Sequence, residues 1–404
     1  MAGRSVLISG ASIAGPALAY WLRRYGFRVT VVEIAPTVRG GGYPVDLRGV
    51  AVEVVTRMGL FDRLRDARTR TREVEFLRAD GRRVGAMVPE VLTGGSEGAD
   101  LEIPRGDITA ALYDVTCDDV EYLFGDSVGE LVERADGVEV TFRSGVRRTF
   151  DLVVGADGIH SAVRGLVFGA EDQFVRHLGY RFTGFSAPNR HGLDSQAVMR
   201  NLPGRMTTVY AVGNGPVVSV LMGFTGARVT KEEVRDLEGW IRLTERTFAD
   251  DGADARELLA DLRAADDVFA DGVSQIRMPA WSEGRVALVG DAAFAPSFLS
   301  GQGTSLAVVG AYVLAGELAA NADHVEAFAA YRRTAADFVE RNQALALGAN
   351  VIIPTTRHGL WFRNLAVRAQ PWLAGVGVFG DKTARAANSL RLPDYESRTT
   401  GALG

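Results

Sequence analysis

Apolar and polar positions follow two periods along this chain, and their order near the N-terminus predicts the architecture. "RSVLIS" is a short apolar run, and "PALAYWLRRYG" carries apolar positions on one side at helical spacing. "RVTVVE" is a second, β-branched run. Strand, glycine turn, helix and strand within about 30 residues make a βαβ unit, which predicts a parallel sheet. "AVEVVTRMGLFDRL" and "RGDITAALYDVT" read as further helices. "VEYLF", "SVGELVERADGVEVTFRSG" and "RTFDLVVGAD" read as strands. "EVEFLRADGRRVG" reads as a hairpin turning at "ADGR", so the pattern becomes antiparallel there.

From Phe174 to Arg277 the character changes. "GYRFTGFSA", "SQAVMRN", "RMTTVYAVG" and "PVVSVLMGF" are strand-like stretches rich in Tyr, Phe, Met and Val. Two amphipathic helices follow, around "EEVRDLEGWIRLTERTF" and "ARELLADLRAADD". "RVALVGDAA" then returns to the buried-strand pattern, with helices to the end and "LPDYESRTTGALG" as a frayed tail. The predicted fold class is α/β. A Rossmann-like nucleotide-binding domain with a parallel sheet (residues 1–71, 101–173 and 278–325) is interrupted by a mostly antiparallel, substrate-binding sheet (72–100 and 174–277). A C-terminal helical segment, 326–404, completes the chain. No internal repeat is evident.

Composition narrows the function classes. At 404 residues the chain can bury a large core. A net charge of −5 leaves no basic surplus for phosphates, so no nucleic-acid partner is expected. Cys117 is the only cysteine, which excludes an internal disulfide and suits a reducing, cytoplasmic setting. Neither a cleavable leader nor an uninterrupted apolar segment of the ~20 residues that span a bilayer is visible, so no membrane association is expected. The five histidines lack the paired spacing of a metal site or a catalytic triad, and no metal is expected.

The first candidate site is "GASIAG". In a βαβ dinucleotide site the first glycine makes the turn, the second admits the pyrophosphate and the third allows close helix packing. Gly10 and Gly15 fill the first and third roles, with Ser12 at the second and Ile13 and Ala14 between. Pro16 sits just inside the helix, where its missing N–H costs little. Glu33, about 20 residues beyond the loop, suits a ribose hydroxyl. Read alone, the loop fits NAD, FAD or an empty turn.

Two later motifs decide among these. "DLVVGADGIHSAVR" sets Asp157 after a buried strand, and "GRVALVGDAAFAPSFLSGQGTSLAVVGAYVLAGELA" sets Gly290 and Asp291 after another. Gly301, Gln302, Gly303 and Thr304 then open an apolar helix. Three motifs in this order, covering nearly the whole chain, resemble the single-component FAD-dependent aromatic hydroxylases, in particular the tetracycline-modifying monooxygenase type. The resemblance implies FAD, with Gly10, Ser12 and Gly15 at the pyrophosphate and Glu33 at the adenosine ribose. It places Arg105 of "EIPRGDI" against FAD and Asp157 in a motif associated with FAD and reduced pyridine nucleotide. Asp291 would hold the ribityl chain, and Gly301 to Thr304 the pyrimidine edge of the flavin. Asp46 and Arg48 in "GGYPVDLRG" match a loop beside the isoalloxazine, with Arg48 a candidate catalytic group. Departures from the family pattern are Ser12, Ile34, Phe294, Phe298 and Gly310.

The activity implied is a monooxygenase that consumes NAD(P)H and dioxygen and hydroxylates an aromatic or polyketide-like small molecule through a 4a-hydroperoxyflavin. Candidate substrate walls are Phe182, Phe185, Met199, Met206, Tyr210, Met222 and Phe224, closed by Pro296, Phe298 and Leu299. Alternation along a strand turns only half of the strand residues inward. The expected assembly is a monomer or homodimer. A flavin-dependent halogenase is disfavoured, because Lys231 and Lys382 are the only lysines and no Trp-x-Trp-x-Ile-Pro motif occurs. An FAD oxidase or dehydrogenase, an epoxidase or Baeyer–Villiger enzyme, and a non-catalytic FAD-binding protein stay open at this point.

Overall fold

The computed structural model describes residues 3–38, 40, 43–89, 100–226, 234, 236–346, 352–369 and 380–400. The expected βαβ unit forms from β1 (Ser5–Ser9), α1 (Ala14–Arg24) and β2 (Arg28–Glu33). Gly26, at φ +84°, ends α1, and Phe27 N–H then donates back to Leu22 O at 3.0 Å. β1 pairs in parallel with β2 and with β11 (Leu152–Gly155). Beyond β11 lie β18 (Val286–Leu288) and the antiparallel edge β17 (Ser282–Glu283); beyond β2 lies β7 (Glu121–Phe124). The strand ends that carry the three motifs, on β1, β11 and β18, are therefore neighbours. β8 (Val128–Glu133), β9 (Val138–Phe142) and β10 (Arg147–Phe150) form a separate antiparallel sheet.

The helix predicted from "AVEVVTRMGLFDRL" is two: α2 (Val50–Arg57) and α3 (Phe61–Asp66). Gly59, at φ +75°, breaks it, with Leu60 N–H returning to Val55 O at 2.9 Å. α4 (Arg105–Asp114) follows the sequence reading, and α5 (Ala162–Val167) opens at the end of the second motif. After α8 (Asp291–Phe294), α9 (Gly303–Ala320) is apolar all round and buried, packed against α1, α2 and α10 (His324–Ala344). By length and composition α9 alone among the described helices could cross a membrane; 83% of it is buried inside the protein. α11 (Arg357–Ala369), α12 (Gly380–Ala387) and α13 (Tyr395–Thr400) complete the chain. The expectation of a frayed tail is corrected through residue 397. Tyr395 is fully buried against Gly316 and donates to Glu317 Oε1 at 2.7 Å. An aromatic ring fitted to a glycine on a distant helix leaves no periodic signal in the tail itself.

The second large sheet has seven strands in the order β16, β12, β15, β14, β13, β4, β5. They are β16 (Phe269–Ile276), β12 (Val175–Pro188), β15 (Val217–Thr225), β14 (Arg205–Tyr210), β13 (Gln196–Leu202), β4 (Glu73–Leu77) and β5 (Arg83–Met87). β16 escaped the sequence reading, because Asp271 and Gly272 interrupt its apolar pattern. One face of this sheet packs under α6 (Leu237–Phe248) and α7 (Ala253–Ala264), where Thr183 and Thr244 share a hydrogen bond of 2.7 Å. The other face looks toward the nucleotide-binding half. A short ribbon, β3 (Pro44–Leu47) with β6 (Leu101–Pro104), lies between the two.

Candidate functional site

The turn after β1 is closed by two glycines in mutual contact. Gly10 sits at φ +109°, and a Cβ there would lie 2.5 Å from Ala156 O. A Cβ on Gly15 would lie 1.9 Å from Gly10 O, so neither position admits a side chain. Ile13 and Ala14 are buried at the start of α1, whose first turn carries no side-chain cap and no acidic residue. Its bare N–H groups and partial positive charge suit a phosphate. Ser12, the departure from the three-glycine pattern, has a partner: Arg105 Nη2, at the start of α4, donates to Ser12 Oγ at 3.0 Å. Glu33 accepts from Ala11 N–H (2.8 Å) and Ala35 N–H (2.9 Å), tying the end of β2 to the loop.

The second motif folds into a compact knot. Asp157 accepts from the Ser161 hydroxyl and from Val163 N–H at 3.1 Å, and burial raises its carboxyl above the ordinary carboxylate range. Arg164, quoted in the motif without a role, is completely buried. It donates to Ala292 O and to Glu171 Oε2, each at 3.0 Å, and so joins the second motif to the third.

Gly290, at φ +64°, turns the chain from β18 into α8. Asp291, exposed at the start of α8, has its carboxyl raised by desolvation, and the charge of Arg105 opposes the rise. Pro296 is buried, its carbonyl held by Gln275 Nε2 at 3.0 Å, and Gln343 Nε2 holds Phe294 O at the same distance. Ser297 is a non-glycine at φ +86°, a strained conformation in the turn leading to Gly301. Gly301 is left-handed, and a Cβ there would stand 3.1 Å from Asp46 Oδ2. Gln302 is fully buried, and its side-chain amide has no hydrogen-bond partner among the described residues. Gly303 and Thr304 open α9 with no side-chain cap.

β3 meets this turn. Arg48, nearly fully buried, pairs with Asp46 at 2.9 Å, and Arg48 N–H donates to Ser305 Oγ at 3.1 Å. Burial pushes the Asp46 carboxyl up to about 6, with Arg48 opposing and Glu102 adding to the rise. Two departures from the family pattern prove to be one packing event. The Phe294 ring lies over Gly310, where a Cβ would come within 2.8 Å of Phe294 Cζ. A large residue at one position requires a small one at the other.

An aromatic-walled cavity begins where this turn ends. Phe298 stacks on Phe182 with ring centroids 5.1 Å apart, and Tyr43 meets Phe298 at 5.2 Å and Phe269 at 5.4 Å. The cavity is open to solvent on one side and encloses about 160 Å³. Glu102, Ser186, Thr208, Tyr210, Ser219 and Asp267 supply its polar wall. Of the residues expected to form substrate walls, Phe182, Met199, Met206, Leu299 and Phe298 cluster on this side of the sheet, with Tyr210 beside them. Met222 and Phe224 belong to the opposite face, packed under α6 and α7, and Phe185 packs with them while also lining the cavity. Strand alternation makes that division, since Phe185 and Val220 are register partners on the helix-covered face. Tyr43, Glu102, Thr208 and Phe269 were missed. The first two lay inside quoted motifs, and no periodic signal marks any of them as facing a cavity.

This fold and site define a flavoprotein oxidoreductase. The chain belongs to the FAD binding domain family, whose sequence profile matches residues 4–345. A flavin-dependent monooxygenase from an unknown prokaryotic organism is 39% identical over 345 residues, covering 85% of this chain and 89% of that protein. Another of that description is 33% identical over 396 residues, covering 97% and 98%. The crystal structure of the tetracycline destructase Tet(55) superposes with a TM-score of 0.84 at 33% identity, covering 98% of this chain and all of the other. The chain is accordingly an FAD-dependent monooxygenase. The residues present fit the cofactor: Gly10 and Gly15 form a turn that no Cβ can enter, and two helix N-termini, of α1 and α9, stand uncapped.

Proposed function

We propose that this monooxygenase uses NAD(P)H and dioxygen to hydroxylate an aromatic or polyketide-like small molecule held in the cavity of Tyr43, Phe269 and Phe298. The reading is carried by the stacking of Phe298 on Phe182, which seats an aromatic cavity directly beside the turn from Gly301 to Thr304. In this proposal Gly10, Ser12, Ile13, Ala14 and Gly15 hold the pyrophosphate, helped by Arg105. Glu33 meets the adenosine ribose, Asp157 lies along the cofactor, and Gly290 and Asp291 hold the ribityl chain. Gly301, Gln302, Gly303 and Thr304 border the flavin ring, with Asp46 and Arg48 on its other side. Bound FAD supplies electron transfer from NAD(P)H and delivery of one oxygen atom from dioxygen. The chain's own part is orientation and exclusion of water: aromatic walls dry the site, and the start of α9 offers positive potential where negative charge develops.

The test is NADH and NADPH oxidation, with hydrogen peroxide release, across phenols, polycyclic polyketides and tetracycline. Substrate-stimulated oxidation with an oxygen added to the product is expected. Reduction in which every electron appears as peroxide, whatever the substrate, would sink the hydroxylase reading.

A further inference from the structure

Glu102 is the one carboxylate in the aromatic cavity's wall whose bonding is half complete. It sits on β6 opposite Asp46, and its Oε2 accepts from Thr69 Oγ1 at 2.6 Å, Tyr210 OH at 2.7 Å and Thr71 Oγ1 at 3.0 Å. Its Oε1 has no partner among the described residues, and no arginine, lysine or histidine among them pairs with it. Three neutral hydroxyls thus fix the carboxylate's orientation while leaving its charge uncompensated. Tyr210 belongs to the same arrangement: burial and the adjacent Glu102 both raise its hydroxyl, so it stays a donor. Thr208, two residues earlier on the same face of β14, also lines the cavity, and its buried hydroxyl has no partner among the described residues. A fixed charged acceptor and an unengaged hydroxyl therefore stand together in a pocket walled in part by Tyr43, Leu221, Phe269 and Phe298, whose second carboxylate, Asp267, has both oxygens engaged by Ser186.

We infer that Glu102 is a specificity-determining residue: its free oxygen accepts from a hydroxyl on the substrate ring, selecting hydroxylated aromatics and rejecting anionic ones. A polar group on the substrate that meets this acceptor completes its bonding. A methyl ether leaves it desolvated and unpaired, and a carboxylate meets like charge. A ring hydroxyl bonded to a carboxylate is also a more electron-rich ring, which favours attack on an electrophilic oxygen. The inference rests on the reading of this cavity as the substrate site.

The test is isothermal titration of the FAD-loaded protein, without NAD(P)H, against 2-naphthol, 2-methoxynaphthalene and 2-naphthoate. Naphthol is expected to bind about tenfold or more tighter than its methyl ether, with naphthoate weakest. Glu102→Gln gives the sharper readout. With the amide oxygen seated where the hydroxyls donate, the NH2 faces the cavity and turns an acceptor into a donor. The naphthol preference should then vanish and naphthoate should gain affinity. Thr69→Val, which removes one supporting donor outside the cavity wall, should keep the wild-type order. If Glu102→Gln fails to fold, the wild-type panel still decides. Equal binding of naphthol and methyl ether, naphthoate binding as well as naphthol, or no saturable binding by any of the three overturns the inference. Selective naphthol binding without oxygenated product would sink the hydroxylase reading alone. Product formation without dependence of selectivity on Glu102 would sink this one alone.

Discussion

Single atoms at two positions carry much of this site's logic. At Gly15 the nearest obstacle to a Cβ is backbone, 1.9 Å away at Gly10 O, which cannot give way as a side-chain tip could. Gly15→Ala is expected to cost about 1–3 kcal/mol or more and to purify with little flavin, read from the ratio of flavin to protein absorbance. Asp46 carries a pH signature. Its carboxyl rises from 3.8 to about 6 on folding, mainly through burial, so the folded state binds a proton that the unfolded state releases. Its ionised form therefore penalises folding above pH 6 by about 3 kcal/mol, and the penalty fades as pH falls from 6 toward 4. Urea unfolding of wild type and Asp46→Asn from pH 4 to 8 isolates this. Wild type should gain stability relative to the variant as pH falls; a constant difference would contradict the assignment.

Among elements, the seven-stranded sheet divides its aromatics by alternation into two kinds. Phe224 meets Phe248 edge-to-face at 5.9 Å beneath α6, whereas Phe298 stacks on Phe182 at the cavity. Phe224→Ala is expected to lose about 3–5 kcal/mol of stability and leave KM near wild type in whatever molecules fold. Phe298→Ala, half-buried at the cavity, should alter KM and peroxide leakage with a smaller change in Tm. Similar effects of both substitutions on Tm and KM would refute the division of faces. The βαβ unit, the hairpin and the long buried helix α9 were legible from period alone, because their patterns are local. β16 was not, since Asp271 and Gly272 interrupt its apolar pattern and Asp271 serves His160 outside the strand.

Across the whole molecule, His160 bridges the two large sheets. It lies in the turn after β11 and contacts Asp271 of β16 and Glu171, each at 3.0 Å. Its hydrogen bond to Asp271 and then that to Glu171 raise its pKa from 6.5 to about 10. The bridge's stabilisation is fully present below pH 6.5 and is lost as pH rises toward 10. At 63% exposure, solvent screening limits it to about 1 kcal/mol. Unfolding midpoints of wild type and His160→Gln should differ most near pH 6 and converge by pH 10; a gap that is independent of pH would exclude an ionic bridge.

Sequence by itself determined much of the local grammar: which segments are strands or helices, and where a turn forbids side chains. These are set by period and by steric limits of single residues, which act over a few positions. Only the tertiary structure decided which of those residues meet. Arg105 reaches Ser12, Arg164 joins Asp157's motif to Ala292, Phe294 accommodates Gly310, and Tyr395 seats on Gly316. It also decided that Phe182 stacks on Phe298 while Phe185, three residues on, packs with the helix-covered cluster and lines the cavity. Side-chain contacts between distant segments depend on how sheets stack, and no window along the chain contains both partners.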